Sequence, residues 1–597
     1  MTALPAALAA IPVDWLGGGV SVTGRRWLSH PCDERMALAV AQTHGLPDLA
    51  ARILVARGLD VDGVPGHLAP TLRDLLPDPS ALHDMDKAAE RIAQAIMVGE
   101  RIALFADYDV DGATSSALLL RFLRAVGSDA ILYVPDRILE GYGPNAAAFG
   151  KLAEQGAKLV ITLDCGISAH EPLVAARDAG LEVVVVDHHA ADMRLPEALA
   201  VINPNRLDEN GLLGHLAAVG VAFLSLVAIN RCLRRAGWYE DRAEPDLRQW
   251  LDLVALGTVA DVVPLKGLNR AFVAQGLKIM AGRRNLGLAA LADVAGLDES
   301  PAAYHLGFVF GPRVNAGGRV GRADSGARLL STEDPSEAAR LATILDRHNA
   351  ERKALEAATL EAALEQIESR GIDKSSRILV VAGEGWHPGV IGIVASRLVE
   401  RYHRPVCVVG LADGIGKGSG RSVFGIDLGA AVIAARQAGL LVAGGGHPMA
   451  AGFTVAEPRL DLLTAFLDAR VAEGGVRTDP VLSIDGALSC GGATMALAET
   501  VEQLGPFGSG NPEPRFVLMG ARIARADIVG TGHVRCAVAD GTGAQVKAIA
   551  FRAADTALGQ TLLKSAGAPL ALAGRVKIDR WNGSVRVQLQ IDDVART

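Results

Sequence analysis

Between residues 101 and 189, three apolar runs each stop at an aspartate. Arg101-Ile102-Ala103-Leu104-Phe105 leads through Ala106 into Asp107-Tyr108-Asp109-Val110-Asp111-Gly112. Leu159-Val160-Ile161-Thr162 leads through Leu163 into Asp164-Cys165-Gly166, and Glu182-Val183-Val184-Val185-Val186 into Asp187-His188-His189. Runs this short and apolar read as buried strands. Helical stretches over 113–126, 146–155 and 171–179 alternate with them, which signals βαβ units and a parallel sheet. Functional groups in such a sheet gather at the carboxyl ends of strands. A fourth acidic segment, Ala260-Asp261-Val262-Val263-Pro264, follows a helical run. Carboxylates collected in one crevice resist ionising together unless a cation joins them. Hard oxygen ligands with one or two imidazoles suit Mn2+ or Mg2+ better than Zn2+. The pattern therefore predicts a site for two such ions, of the kind that hydrolyses phosphoesters.

Within the triplet, alternation throws Asp107, Asp109 and Asp111 to one side if the strand continues, and Gly112 allows a turn into the next helix. A lone Asp-x-Asp is more often a turn or a helix cap. Four such segments, one with tandem histidines, shift the balance towards metal binding. Asp109 and Asp111 are the preferred ligands of the triplet, with Asp107 beside them. Asp164 is placed to bridge two ions, and Asp261 adds a carboxylate from a different element. His188 is expected to bind metal and His189 to face a phosphate, with Asp187 orienting the His188 ring. Cys165 reads as a small buried apolar residue.

The chain has 597 residues, 50% of them hydrophobic and 4% aromatic, which suits three to five domains of helices packed on sheets. A net charge of −8 argues against indiscriminate nucleic-acid binding but leaves room for a local basic groove. The six cysteines are far apart and lack Cys-x-x-Cys spacing, so free thiols in a reducing compartment are expected. Pro5 and Pro12 interrupt the apolar stretch from Leu4 to Val13, and no run is long enough to span a membrane. A cytoplasmic monomer is the expectation.

Five regions follow in order: an N-terminal helical region over 1–80, a parallel-sheet domain over 81–330, a connector helix over 331–370, a second α/β domain over 371–470, and a β-barrel over 475–597. The connector is Ala-, Leu-, Glu- and Arg-rich, and two shorter helices with a break near Asn349 are its alternative reading. In the last region, Asn582-Gly583 between β-type runs predicts a tight hairpin turn, and several short strands suit an OB-like barrel.

The segments Asp109-x-Asp111-Gly112, Asp164, Asp187-His188-His189 and Asp261 resemble the motifs of the DHH phosphoesterase superfamily. Four further stretches resemble RecJ-type members of it: Gly311-Pro312-Arg313-Val314-Asn315-Ala316-Gly317-Gly318-Arg319, Glu384–Ser396, Gly444–Phe453 and Phe507–Pro514. Ala106 and Gly317 depart from the usual Gly and Ala, at positions that carry no ligand. The resemblance spans about residues 50 to 597. It implies a DHH domain and a DHHA1-like substrate-binding domain joined by a long helix, then an OB-like DNA-binding barrel. It also implies a single-strand-specific 5′-to-3′ exonuclease of recombination and repair, with Asp109, Asp111, Asp164, His188, His189 and Asp261 as its catalytic set. A 5′-phosphate pocket is implied too, with Arg137, Arg313, Asn315, Arg319, Ser419, Arg421 and His447 as candidates; guanidinium groups bind phosphate bidentately. Trp581 is a candidate stacking platform. A single-strand-binding protein and a RecQ-type helicase are the implied protein partners. The rival readings are another DHH activity, on oligoribonucleotides or small nucleotides, and a non-catalytic replication scaffold.

Overall fold

Five strands lie side by side, every neighbour parallel, in the order Ala130–Tyr133, Ile102–Ala106, Leu159–Leu163, Glu182–Val186, Ala200–Ile202. The three central strands are buried over almost their whole length because helices cover both faces, which is why they read as continuous apolar runs. From Ile102–Ala106 the chain crosses to one side to form Ala130–Tyr133, then returns to the other side for Leu159–Leu163. The order of connection reverses between these strands, and a crevice opens there at the carboxyl ends. Asp107 and Asp164 leave the sheet on either side of it.

The computed structural model describes residues 12–137, 139–369, 376–474, 480–565, 567–581 and 584–597. They fall into two compact units. One comprises Pro77–Asp261 and Gln275–Thr478; the other comprises the described residues of Met1–Leu76, Val262–Ala274 and Asp479–Thr597. The N-terminal apolar stretch, as far as Ile11, and the Asn582-Gly583 turn lie outside the described residues, as does the side chain of Trp581.

In the first unit the parallel sheet is followed by helices and then by one helix, Pro335–Ser369, of 35 residues. It runs through Asn349 without a break. Buried Asn349 accepts hydrogen bonds from Arg352 Nε and Nη2, so the polar residue that suggested a break is satisfied inside the helix. The second sheet has the order Ala443–His447, Ala450–Ala456, Ile415–Arg421, Val406–Ala412, Leu379–Glu384. Only its last pair is parallel. Its two faces bury separate cores, one around Phe453 and Val455, the other around Val381 and Leu398.

The second unit is built on a barrel. Phe516–Val529, His533–Ala539, Gln545–Ala550, Ser584–Arg596 and Pro569–Trp581 pair in sequence, and Phe516–Val529 closes on Pro569–Trp581. The sequence reading sets residues 1–80 apart. In the structure, Val40, Ile53, Leu54 and Val64 share one core with Phe516, Leu572 and Leu589 of the barrel. Strand Arg26–Ser29 pairs in parallel with Val481–Ile484, and the buried Trp27 indole donates to Asp593 Oδ2 at 3.0 Å. Among the described residues, no helix is long and apolar enough to cross a membrane.

Candidate metal centre and phosphate-binding arginines

The first acidic segment does not continue as a strand. Ile102–Ala106 ends, and a helix begins at Val110 with Asp109 as its N-cap; Asp109 Oδ1 accepts from the Asp111 and Gly112 amides at 2.9 and 3.1 Å. The three carboxylates converge through a strand–turn–helix, and strand alternation plays no part. Gly112 has a different task from the one its freedom of φ suggests. A Cβ there would lie 2.3 Å from the Asp107 carbonyl oxygen, so only glycine lets the turn close. Asp111, 1% exposed, is held by a second helix N-terminus: its oxygens accept from the Ala218 and Val219 amides at 2.6 and 2.9 Å. Gly257 permits that packing, since a Cβ would sit 3.0 Å from Asp111 Oδ1.

Asp164 adopts a left-handed backbone conformation, φ +61°, immediately after its strand. Non-glycine residues seldom adopt it, and strain of this kind collects at functional sites. The Asp164 carboxylate is thereby turned into the crevice, with Oδ1 3.3 Å from His188 Nε2. His188 Nε2 also lies 3.6 Å from Asp261 Oδ2 and 3.9 Å from Asp111 Oδ2. Three overlapping groups hold ligand atoms within 4.8 Å of one another: Asp107 with Asp109 and Asp164; Asp111 with His188 and Asp261; Asp164 with His188 and His189.

The tandem histidines divide their work by their partners. His188 Nδ1 lies 3.0 Å from the Leu216 carbonyl oxygen, so it carries the proton and Nε2 keeps a lone pair for a cation. Contrary to the expectation from sequence, Asp187 does not orient this ring. Its Oδ1 binds the ring of His189, at Nδ1 and 2.8 Å, and accepts from the backbone amides of both histidines; Oδ2 accepts from Ile167 N at 3.0 Å. Asp187 is thus fully satisfied by the motif's own donors and is its brace.

Burial, followed by the Asp109 charge, pushes Asp107 up to about 8 and Asp261 up to about 7. Burial and neighbouring aspartates raise Asp111 and Asp164 well above the carboxylate range. Asp187 is the exception: burial works to raise it, but hydrogen bonds from His189 and the backbone hold it below the usual value. Burial lowers His188. It opposes charge on His189 too, yet the bond to Asp187 leaves His189 raised. Buried Asp107 Oδ1, Asp164 Oδ1, Asp261 Oδ2 and His188 Nε2 make no hydrogen bond among the described residues. Four orphaned acceptors aimed into one crevice fit oxygen-seeking divalent cations.

Arginines gather beside this cluster. Arg137 lies over the Tyr108 ring, 4.9 Å from its centroid. Arg319 is lowered to about 10, by burial first and then by Arg137, Arg352 and Arg421, while Asp109 pulls it back up. Its Nη1 donates to the Gly389 carbonyl at 2.8 Å, which ties the helix Gly311–Val320 to the second sheet's domain. Arg421 is lowered by burial and by Arg137, and its Nη1 donates to Ser419 Oγ at 3.1 Å. His447 pairs with Ala450 and Ala450 with Arg421, so His447 and Arg421 stand at one level, two strands apart, on the same face. Asn315 and Arg319 line a cavity of about 150 Å3 with Ala260, Gly307, Pro312 and Arg352.

Arg313 does not join this group. Its Nε donates to Asp346 at 2.9 Å and its Nη1 to the Val309 carbonyl at 2.8 Å, so it fastens its own helix to the long one. Sequence reasoning also passed over Tyr142, whose hydroxyl lies 3.2 Å from the Asp164 carbonyl and 3.3 Å from His189 Nδ1. No local signal marks it, because the contact joins the crossover loop to two other strand ends. Arg352 was hidden in the same way among the many charges of the long helix.

Three family models match the chain: the DHH family N-terminal domain at residues 101–258, the DHHA1 domain at 375–473 and the RecJ OB domain at 484–593. The single-stranded-DNA-specific exonuclease RecJ of Dickeya dadantii is 39% identical over 92% of this chain and 96% of its own. The crystal structure of Thermus thermophilus RecJ in complex with Mn2+ superposes with a TM-score of 0.79, at 33% identity, over 96% of this chain and 79% of that one. The Mg2+ complex of the same protein gives 0.73 at 31% identity, over 96% and 78%. The chain belongs to the RecJ family of DHH phosphoesterases.

Proposed function

We propose that this protein is a Mn2+- or Mg2+-dependent exonuclease that hydrolyses single-stranded DNA from its 5′ end in recombination and repair, releasing 5′-mononucleotides. The observation that carries this is one crevice holding Asp107, Asp109, Asp111, Asp164, His188 and Asp261, with Arg137, Arg319 and Arg421 beside it. The intact ligand set favours an enzyme over a scaffold.

Asp107, Asp109 and Asp164 would hold one cation, and Asp111, His188 and Asp261 a second. Bound there, the cations supply a water acidic enough to act as hydroxide near neutral pH and offset charge growing on the phosphate. The residues of the chain do the rest by position. Arg137, Arg319 and Arg421 with Ser419 take the 5′-phosphate, setting the next phosphodiester over the carboxylates. Water adds to that phosphorus, the bond to the 3′-oxygen of the terminal nucleotide breaks, and that oxygen takes up a proton. His189, held by its hydrogen bond to Asp187, would face the departing oxygen. The shortened strand carries a new 5′-phosphate, which fits the same arginines.

The proposed ligands are recessed, Asp164 being 2% and Asp111 1% exposed, which supports entry of a flexible single strand over a rigid duplex. We assign the barrel to holding the downstream strand through backbone charge and base stacking. Such an enzyme needs strands already separated, which a RecQ-type helicase and a single-strand-binding protein would supply. The six cysteines are all free, as suits a reducing compartment.

The test is release of mononucleotides from 5′-labelled single strands in Mn2+, with duplex, RNA and 3′-labelled controls. Label should leave first from the 5′ end of single strands, with the duplex far slower. Equal release from duplex, or release from the 3′ end first, would contradict the reading.

A further inference from the structure

Aromatic residues are scarce in this chain, 4% in all, and the described ones are mostly buried or half-buried. Among the described residues of the unit that carries the metal centre, the strongly exposed aromatic side chains are Tyr142, Tyr304, Phe308 and Phe424. Tyr142 touches His189, and Phe424 follows Arg421 by three residues. Tyr304 and Phe308, 63% and 70% exposed, stack on each other with ring centroids 5.0 Å apart and planes 25° apart.

Its position is fixed by what lies beneath it. Residues Leu306–Phe310 form a π-helical turn between Ala303–His305 and Gly311–Val320. Such wide turns are rare and concentrate at functional sites. Gly307 faces Val259, where a Cβ would lie 3.5 Å from Cγ1; at Gly311 a Cβ would lie 3.5 Å from the Ala260 Cβ. The turn therefore rests on the end of the helix Leu251–Ala260 that delivers Asp261 to the metal centre. Gly307 and Gly311 also line the cavity that holds Asn315 and Arg319. His305, next to Tyr304, is tied back to Glu299 at 3.0 Å, which braces the turn from the other side. An aromatic pair left in water is unfavourable for a free surface. A flat, two-ring face beside a phosphodiester site suits a planar, π-faced ligand.

We propose that Tyr304 and Phe308 form a stacking platform for nucleobases of the bound single strand, adjoining the cavity of Asn315 and Arg319. The platform rests on the nuclease reading and adds base-face recognition to the phosphate recognition already described. Stacking of this kind is indifferent to sequence, since every base has a π-face. It depends on a base being present, and that provides the test.

The full-length protein in EDTA is titrated with a fluorescent, 5′-phosphorylated single strand and with abasic versions, the abasic position scanned from the 5′ end. The same titrations use Tyr304→Ala/Phe308→Ala and the conservative Tyr304→Phe/Phe308→Trp. Wild type should bind the intact strand more tightly than one of the abasic strands, by roughly 5- to 100-fold. The alanine double variant should lose that preference and the conservative variant should keep it. Melting temperature checks that the exposed substitutions leave the fold intact. A double variant that binds intact strands as wild type does, with the same abasic penalty, would overturn the platform alone. A wild type that neither binds nor hydrolyses single strands would overturn the nuclease reading and the platform with it.

Discussion

Two buried polar centres in this molecule solve opposite halves of one problem. In the parallel-sheet unit, acidic side chains crowd together with orphaned oxygens, and among the described residues no arginine or lysine forms an ion pair with Asp107, Asp111, Asp164 or Asp261. In the barrel unit, Arg270 is 1% exposed and sits among carbonyl oxygens, with no carboxylate bound to it among the described residues. Its Nε donates to His67 O at 2.7 Å, Nη2 to Leu504 O at 3.0 Å and Nη1 to Pro506 O at 3.3 Å, and Nη2 also meets Gly505 O. Burial, then Arg57, lowers Arg270 to about 10, so it stays charged at neutral pH. One centre carries its own cation and is complete; the other must take cations from solution. A self-contained centre can only stabilise. An open one is less stable by itself and gains chemistry in exchange.

If that contrast is right, substitution should separate activity from stability in opposite directions. The largest effect is expected for Asp164→Asn. Asparagine tolerates the left-handed backbone, so the fold is kept. Hydrolysis should fall by about 10^2- to 10^3-fold, on the scale seen when a preorganised electrostatic group is removed. Melting temperature without metal should hold or rise, because a carboxylate repelled by its neighbours is gone. A substantial drop in melting temperature would place Asp164 in the scaffold instead.

Arg270→Met should do the reverse. Several buried carbonyls lose their donor together, and a loss of about 3 kcal/mol is expected from uncompensated groups of this kind. Urea titration checks it. Activity per folded molecule on dinucleotides, which need no barrel, should stay near that of wild type.

A smaller effect is expected at the arginines. Arg421→Ala should weaken 5′-phosphorylated strands against 5′-hydroxyl strands by about 2 kcal/mol, the scale of a charge-assisted hydrogen bond. Binding titrations with both strands read it, and an equal loss on both would make Arg421 a general backbone contact.

A separate effect is expected in pH. The folded values of Asp107, about 8, and Asp261, about 7, lie above those of an unfolded chain. The native state thus holds protons that the unfolded state releases, and stability falls as pH rises from about 4 to 8. Metal-free melting curves should show this decline beyond that of an Asp107→Asn/Asp261→Asn variant. Saturating Mn2+ should flatten it. A metal-free profile that matches the double variant would contradict the crowding.

The metal centre was readable because each ligand is punctuated by a local pattern, an apolar run ending in Asp or a tandem His. The readable part is which residues meet; how they meet was not. Asp109 and Asp111 reach the crevice through a helix start, and Asp187 braces His189 instead of His188, since neither choice changes the sequence pattern. The barrel unit was harder. Arg26–Ser29 gave no strand signal, because its partner Val481–Ile484 lies at the far end of the chain. Arg270, in Leu268-Asn269-Arg270-Ala271, looks like any surface cation of a helix until its carbonyl partners are known. Arg313 misled for the converse reason: a glycine-rich motif suggests a ligand, while the ion pair to Asp346 is decided by a helix 33 residues away.

Calorimetric titration of the metal-free protein with Mn2+ near pH 7, in two buffers of different ionisation enthalpy, tests the central claim most directly. The account predicts saturable binding of two ions with net proton release, because Asp107 and its neighbours must give up protons to bind. It also predicts loss of most of that binding in Asp164→Asn. Mn2+ uptake with no proton release, or an Asp164→Asn variant that binds Mn2+ as wild type does, would contradict it.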